Sequence, residues 1–468
     1  MNCRVNTVPN QGIIRYYGLL NSERLLITSP KALGEVLVTR NYDFVKPTHL
    51  ATGLGRLLGV GVLLAEGDEH RTQRKNLMPA FAFRHIKDLY PVFWEKSREA
   101  VVAMTKEFKA DALTNASSQG IEKEIKPTVM EVGDWASRAT LDIIGIAAMG
   151  RDFGAIANPN TELSTTYRVV FKPSAQAQIL GLLNMFLPGW FVSRLPIKRN
   201  GEIEAAAAFI RTMCRRQIRA KKEKLEKNEL ADVDILSVAL ESGGFSEENL
   251  VDQMMTFLAA GHETTTTAMT WAVYMLCLNL DVQARLRKEI REKLPSIEGD
   301  GKVTSQEIDH MPYLNAVCNE VLRYYSPVPL TLREAVKDTT IAGQHVPAGT
   351  RIMLVPWATN RDTALWGPDA DKFDPERWLP SASNPASANG GAASNYSFLS
   401  FLHGPRSCIG QKFAQAEFAC LLAAWVGRFE FELDNKEELN EKNVLIKSGV
   451  TAKPAKGLYV RTKILDGW

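Results

Sequence analysis

The sequence predicts a mainly α-helical fold with a smaller β-rich region, and three observations carry that expectation. Apolar residues recur at helical spacing over most of the span from Pro91 to Lys227. A second helical run begins at Ser246 and continues to about Cys277. Strand signals are confined to short stretches, 12–29, 328–356 and 429–462, where β-branched and aromatic residues stand between turn residues.

Composition narrows the class. With 45% hydrophobic and 23% charged residues, the 468-residue chain can bury a large core, and its length suits either several average domains or one large helical one. A net charge of +3, with no Lys/Arg block interleaved with aromatics, argues against a nucleic-acid partner. Six cysteines (Cys3, Cys214, Cys277, Cys318, Cys408, Cys420) lack any C-x-x-C pairing, which points to a reducing compartment rather than a disulfide framework or a zinc site. No signal peptide is present, nor any run of 18 apolar residues that would span a bilayer.

Taken in order, residues 12–29 read as two strands around a turn at Asn21 and Ser22, with a helix from Pro30. The stretch from Phe44 to Ala65 carries four glycines, but no phosphate-loop lysine follows, so a nucleotide cradle is not expected. From Glu66 to Phe81 a helix sets His70 and Arg74 on one face. The long helical region breaks at Gly150–Pro159 and Pro188–Pro196. Beside the second break, the apolar run Ile179–Val192 suits either a core helix or a segment that dips into a membrane surface.

Ser246 is the expected N-cap of the next helix, with Glu247 and Glu248 in the first turn where the dipole favours acids. That helix would be roughly 45 to 50 Å long, enough to cross the molecule. Pro312–Tyr325 is a further helix, carrying Glu320 and Arg323 one turn apart. Strands and turns alternate over 328–356, residues 381–397 read as a loop insertion, and 429–462 supplies closing strands with a hairpin tip at 447–454.

The chemistry centres on FLHGPRSCIG, residues 401–410, directly followed by a helical run. A cysteine at a helix start faces unpaired N–H groups and the positive end of the helix dipole, which stabilise its thiolate. A soft anionic sulfur of this kind suits iron. Gly404 and Gly410 would let the backbone turn close to a flat group, Phe401 would pack below it, and Arg406 offers a fork to a carboxylate. A second constellation, Ala260-Gly261-His262-Glu263-Thr264, lies mid-helix: small residues leave room, and a threonine can bond the carbonyl four residues back and open the helix.

These two segments resemble the cytochrome P-450 haem-thiolate monooxygenases, whose F-x-x-G-x-R-x-C-x-G and A/G-G-x-D/E-T patterns are both complete here. The resemblance extends to E-x-x-R at Glu320 and Arg323 and to the segment Phe373–Trp378 with Arg377, in the family's order, and so implies one domain over 1–468. It implies haem b held by Cys408 as axial ligand, with Phe401, Gly404, Arg406, Gly410, Ala260 and Gly261 around it. Arg74, Arg333 and His70 would serve the propionates, His70 standing where the family often has tryptophan. Glu263 and Thr264 would form the proton relay, and Glu320, Arg323 and Arg377 a network locking the haem-side core. Asn360-Arg361-Asp362 departs from the family's usual H-R-D, a change expected to be tolerated.

The implied activity is oxidation of a hydrophobic small molecule, by hydroxylation or epoxidation, with Phe257, Val328, Leu330 and Val450 in the pocket lining. Electrons would come from NADPH through a cytochrome P-450 reductase, with cytochrome b5 as a further donor. The style resembles fungal enzymes of specialised metabolism. Eukaryotic members commonly open on a membrane anchor that holds them at the endoplasmic reticulum, whereas this chain opens almost directly on strand-like sequence and reads as a truncated or alternative form. Its own membrane contact would then be peripheral.

Overall fold

The computed structural model describes residues 8–18, 21–117, 127–171, 175–229, 234–380 and 389–468. Residues 381–388 of the loop insertion expected at 381–397 therefore lie outside the described residues. Twelve strands are described: β1 (Ile13–Tyr17), β2 (Glu23–Ile27), β3 (Phe44–Val45), β4 (Thr128–Glu131), β5 (Thr331–Ala335), β6 (Thr339–Ile341), β7 (Gln344–Val346), β8 (Arg351–Leu354), β9 (Phe429–Leu433), β10 (Ile446–Ser448), β11 (Ala452–Pro454) and β12 (Tyr459–Ile464). One sheet runs β1-β2-β8-β5-β3, a second β4-β12-β9, and β6–β7 and β10–β11 are separate hairpins. Helices make up the rest of the frame.

The central helix, Glu247–Leu278, starts as its sequence dictates. The Ser246 side chain accepts from the Asn249 N–H at 3.2 Å and the two glutamates occupy the first turn. It packs along Val132–Met149 and against the cysteine helix, Gln411–Arg428. Trp271, Trp425, Phe93 and Phe418 fill the main core between these elements. A second core, with Leu33, Phe44, Ile352 and Leu399, lies under the five-stranded sheet and backs the segment before Cys408.

Within the glycine-bearing stretch after Phe44, Thr48–Leu58 is a helix that tolerates Gly53 and Gly55 and ends at Gly59, whose φ of +70° suits glycine. Two expectations change. β4 sits in a region that local periodicity assigned to helix, because its bonds come from β12, far along the chain (Met130 opposite Val460). The break after Pro188 holds a short helix, Gly189–Arg194.

One buried network ties the helical body to the segment carrying the cysteine. Glu320 Oε1 accepts from Arg323 Nη2 (2.7 Å), the Asp374 N–H (2.8 Å) and Arg377 Nε (3.1 Å), and Oε2 from Arg323 Nε (2.8 Å) and Trp378 Nε1 (2.9 Å). Arg323 also donates to the carbonyls of Asn360, Ala370 and Lys372 at 2.7–2.8 Å. Asn360, the residue that departs from H-R-D, is fully buried. Its amide donates to Arg323 O and Ser400 Oγ, and its Oδ1 accepts from the Leu399 N–H. Removing one partner leaves a charge buried and unpaired, a loss of roughly 3 to 5 kcal/mol against a total stability of roughly 5 to 15. Glu320→Ala is therefore expected to lower the denaturant midpoint sharply and to cut the yield of folded protein; an unchanged midpoint would show that the network is not structural.

Candidate functional site

Cys408 sits at the end of a closed loop. Its N–H donates to Phe401 O at 2.8 Å, and the turn that makes this possible runs through Gly404 at φ +76°. A Cβ on Gly404 would stand 2.2 Å from Leu37 O, so only glycine lets the loop lie on the helical turn of residues 35–39. Gly410 is different: its φ is −88° and a Cβ would meet only Phe81, at 3.7 Å. Its part is to present an N–H to the Cys408 sulfur.

Burial raises the Cys408 thiol above its ordinary value, and the Gly410 N–H and the Arg74 charge oppose that shift without overcoming it. The helix-start argument therefore names one of these stabilisers, a backbone N–H, and omits both the Arg74 charge and the burial that outweighs them. The residue is deeply enclosed, yet it keeps accessible surface. Across from it, Ala260 is exposed and Thr264 half-exposed in the middle of an otherwise buried helix. Phe81 bridges the two sides, lying by Gly410 and meeting Phe257 of the central helix edge to face at 5.3 Å.

Within that helix the structure separates three residues expected to act together. Thr264 Oγ1 donates back to Ala260 O at 2.7 Å, the bond that loosens a helix locally. Gly261 does not face the cleft: its missing side chain makes room for Ile144, whose Cδ1 lies 2.7 Å from where a Cβ would stand, so its smallness serves helix packing. The Glu263 carboxylate is held by Lys453 Nζ (2.8 Å) and Thr451 Oγ1 (3.0 Å) of β11 and the turn before it. His262 is packing, with Nε2 2.7 Å from Ser137 Oγ and the ring edge-on to Tyr167; burial brings it down to about 4.

The remaining predicted residues converge as a cluster of cations. Arg406 is buried, donates to Phe44 O at 2.9 Å, pairs with Glu66 and stacks over Tyr42. Its Nε has no hydrogen-bond partner among the described residues. Arg333, also buried, donates to Leu332 O and Thr331 Oγ1. Arg74 donates to Ser407 O at 2.7 Å, which puts it on the cysteine loop itself. His70 is buried, with Nδ1 3.0 Å from the Tyr42 hydroxyl.

Electrostatics show how strained this cluster is. Burial and then Arg406, Lys46, Arg74 and Arg71 push His70 down to about 4, so it is neutral. Burial and Arg406 lower Arg333 to about 10. Burial and Arg333 lower Lys46 to about 7, against the pull of Glu66.

Sequence reasoning missed Lys46 and Glu66, whose importance comes only from the company the fold gives them. It also missed Glu417, for which a signal existed: an acid in an apolar helical run nine residues after Cys408. Glu417 is fully buried, accepts from Thr265 Oγ1 at 2.8 Å and is raised by burial to about 8, so it is protonated at neutral pH and links the cysteine helix to the central helix.

These features fit a flat, dianionic group with a metal that takes a thiolate: an accessible sulfur in a deep site, a lysine and three arginines matched by one carboxylate, and an unpartnered guanidinium N–H. Among the described residues, no group of His, Cys, Asp and Glu could hold a bare metal ion.

Comparison with known proteins agrees. The model of the Cytochrome P450 family matches residues 12–459. The chain belongs to the cytochrome P450 family. It is 49% identical to Cytochrome P450 monooxygenase sphH of Aspergillus fumigatus, over 99% of this chain and 83% of that protein. It is 46% identical to monooxygenase ALT8 of Alternaria alternata, over 99% and 85%, and 45% identical to monooxygenase FUM15 of Gibberella moniliformis, over 98% and 83%. Like its family, this cytochrome P450 is a haem-thiolate monooxygenase, with haem b as cofactor and NADPH acting only through a redox partner.

Proposed function

We propose that Cys408 is the axial thiolate, that Arg74, Arg333 and Arg406 together with Lys46 take the propionates, and that Thr264 and Glu263 carry protons to the reacting oxygen. The observation that carries this reading is the Cys408 loop: a sulfur receiving the Gly410 N–H, beside Arg74, on a turn that only Gly404 can make. When bound, haem supplies the activation of dioxygen and the one-oxygen transfer. The protein's own residues supply the rest. Four buried or half-buried cations gain a dianionic partner, which offsets the burial and the Arg333 repulsion that depress Lys46. His70, neutral and held by Tyr42, adds a hydrogen-bonding group without adding charge. Thr264, bonded to Ala260 O, keeps a hydroxyl and a loosened carbonyl where a proton can be passed.

The substrate we infer is a hydrophobic small molecule oxidised by hydroxylation or epoxidation. Phe257 is buried against Phe81, Val328 and Leu330 are half-buried, and Val450 is exposed at the tip of the β10–β11 hairpin. A cytochrome P450 reductase, with cytochrome b5 as an accessory donor, would supply the electrons.

A membrane surface is a second partner, favoured by one specific observation. Ile179, Leu182, Phe186, Trp190 and Phe191 are all exposed, on helices Ala175–Phe186 and Gly189–Arg194. Arg194 lies over Trp190, and Lys198 is exposed nearby. Arg199, the next residue, does not join this rim: it is buried and donates to Val169 O and Val170 O. Among the described residues no helix is long and apolar enough to cross a membrane. The patch would rest on the cytosolic face of the endoplasmic reticulum, with its cations toward anionic lipid.

Three outcomes test these readings. Cys408→Ala should abolish the red-shifted Soret band of the ferrous carbon monoxide complex, while Cys214, Cys277, Cys318 and Cys420 variants keep it; a retained band would overturn the assignment. Thr264→Ala should bind substrate nearly as well as the parent while product per NADPH falls roughly ten-fold and peroxide or water accumulates, less than the roughly 100-fold of a fully lost acid–base contribution because water takes the place of the hydroxyl. In liposome flotation, replacing Phe186, Trp190 and Phe191 by Ser should reduce recovery with the vesicles. Equal flotation would remove the patch as a membrane element.

A further inference from the structure

The β10–β11 hairpin is attached to the body at few points, and one of them is the acid of the relay. The Ala452 N–H donates to Pro327 O at 2.9 Å, and Trp271 Nε1 donates to Ala452 O at 2.8 Å. The other attachment is Glu263 Oε1, bound by both Lys453 Nζ and Thr451 Oγ1. The register of the hairpin sets Lys447 directly opposite Lys453. Like charges facing each other across a strand pair destabilise it, and partial burial together with the Lys453 field holds the Lys447 amine below its ordinary value.

Glu263 is therefore the carboxylate that compensates a hairpin at odds with itself. Its titratable neighbour on the central helix, His262, is neutral and turned to Ser137. Thr451 and the inner-strand residues Ala452 and Pro454 are buried, whereas Leu445, Ile446 and Val450 on the outer side are exposed, so apolar packing does little to hold the outer strand and the tip.

We propose that this hairpin is a latch on the substrate side of the site, closed by ionised Glu263 over the opposed lysines, with Lys453 the residue that positions the acid. Without the Glu263 carboxylate, Lys447 and Lys453 stand opposed and uncompensated, and the hairpin that carries Val450 loosens. The catalytic half of this proposal rests on Glu263 acting in the relay; the latch itself does not.

Hydrogen exchange on the haem-loaded protein tests the latch without turnover. The amides of Gly449, Ala452 and Ala455 are bonded to Thr451 O, Pro327 O and Leu445 O, and report its closure. Glu263→Gln keeps the shape of the side chain and an oxygen for Thr451, but not the charge. It should speed exchange at these amides roughly five-fold, the scale of one cross-strand charge effect, and leave the central helix unchanged. Adding Lys447→Gln should restore protection, because the repulsion is gone. Unchanged exchange in Glu263→Gln, or no rescue by Lys447→Gln, overturns the latch; the second result would mean that only a hydrogen bond was lost.

For the positioning of the acid, Lys453→Gln removes the ion pair, so product formed per NADPH should fall roughly two- to five-fold, the scale of one partly exposed ion pair, and Lys453→Arg should restore it. An unchanged yield in Lys453→Gln, or no rescue by Lys453→Arg, overturns that part. A fully coupled Thr264→Ala variant alongside a five-fold loosening in Glu263→Gln would sink the relay reading and leave the latch standing.

Discussion

The Glu320–Arg323 pair is the constraint on which the site depends. A carboxylate with no exposure is tolerable only because five donors converge on it, and a buried guanidinium only because all its N–H groups find oxygens. Those oxygens lie on the segments that follow: the carbonyls of Asn360, Ala370 and Lys372. Through Asn360 and its bonds to Ser400 and the Leu399 N–H, the same network reaches the residues just before the cysteine loop. An asparagine in place of the family's histidine can do this because it offers both a donor and an acceptor.

The charged groups around the site divide into two kinds. Those of the Glu320 network are fully matched, and so give rigidity and no reactivity. Those near Cys408 are mismatched: among the described residues Lys46 and Arg406 share Glu66, burial lowers the basicity of Lys46, Arg74, Arg333 and Arg406, and neighbouring cations lower Lys46 and Arg333 further. Unmatched charge in a buried place costs stability, and its persistence here marks where the protein is shaped for a partner rather than for itself.

Much of this was legible in the sequence, because the signals are local. The Ser246 cap, the Thr264 back-bond and the Cys408 loop each follow from residues within a turn or two of one another. The readings that changed are those decided at a distance. Gly261 is small for Ile144, on another helix, and β4 is a strand only because β12 lies beside it. Arg199 looks like a surface cation in sequence, but Val169 O and Val170 O draw it inward. Glu263 was placed correctly in its helix; which element it binds is set by a hairpin nearly two hundred residues away. Lys46 had no signal at all, since a lone lysine near a short strand acquires meaning only from three arginines the fold brings to it.

The bond from Arg406 to Phe44 O joins positions 362 residues apart, and that from Arg74 to Ser407 O spans 333. Gly404 lies against Leu37 O in the same way. Contacts of such separation carry the largest loop-closure cost and form late. A nascent chain emerging at roughly 5 to 20 residues per second would display most of its helices before residue 408 left the ribosome, yet would have nowhere to seat a prosthetic group. With Cys408 and these cations as the proposed haem site, capture would be confined to the finished polypeptide, and a fragment released early would carry no half-built pocket to take up the cofactor and turn it loose on oxygen.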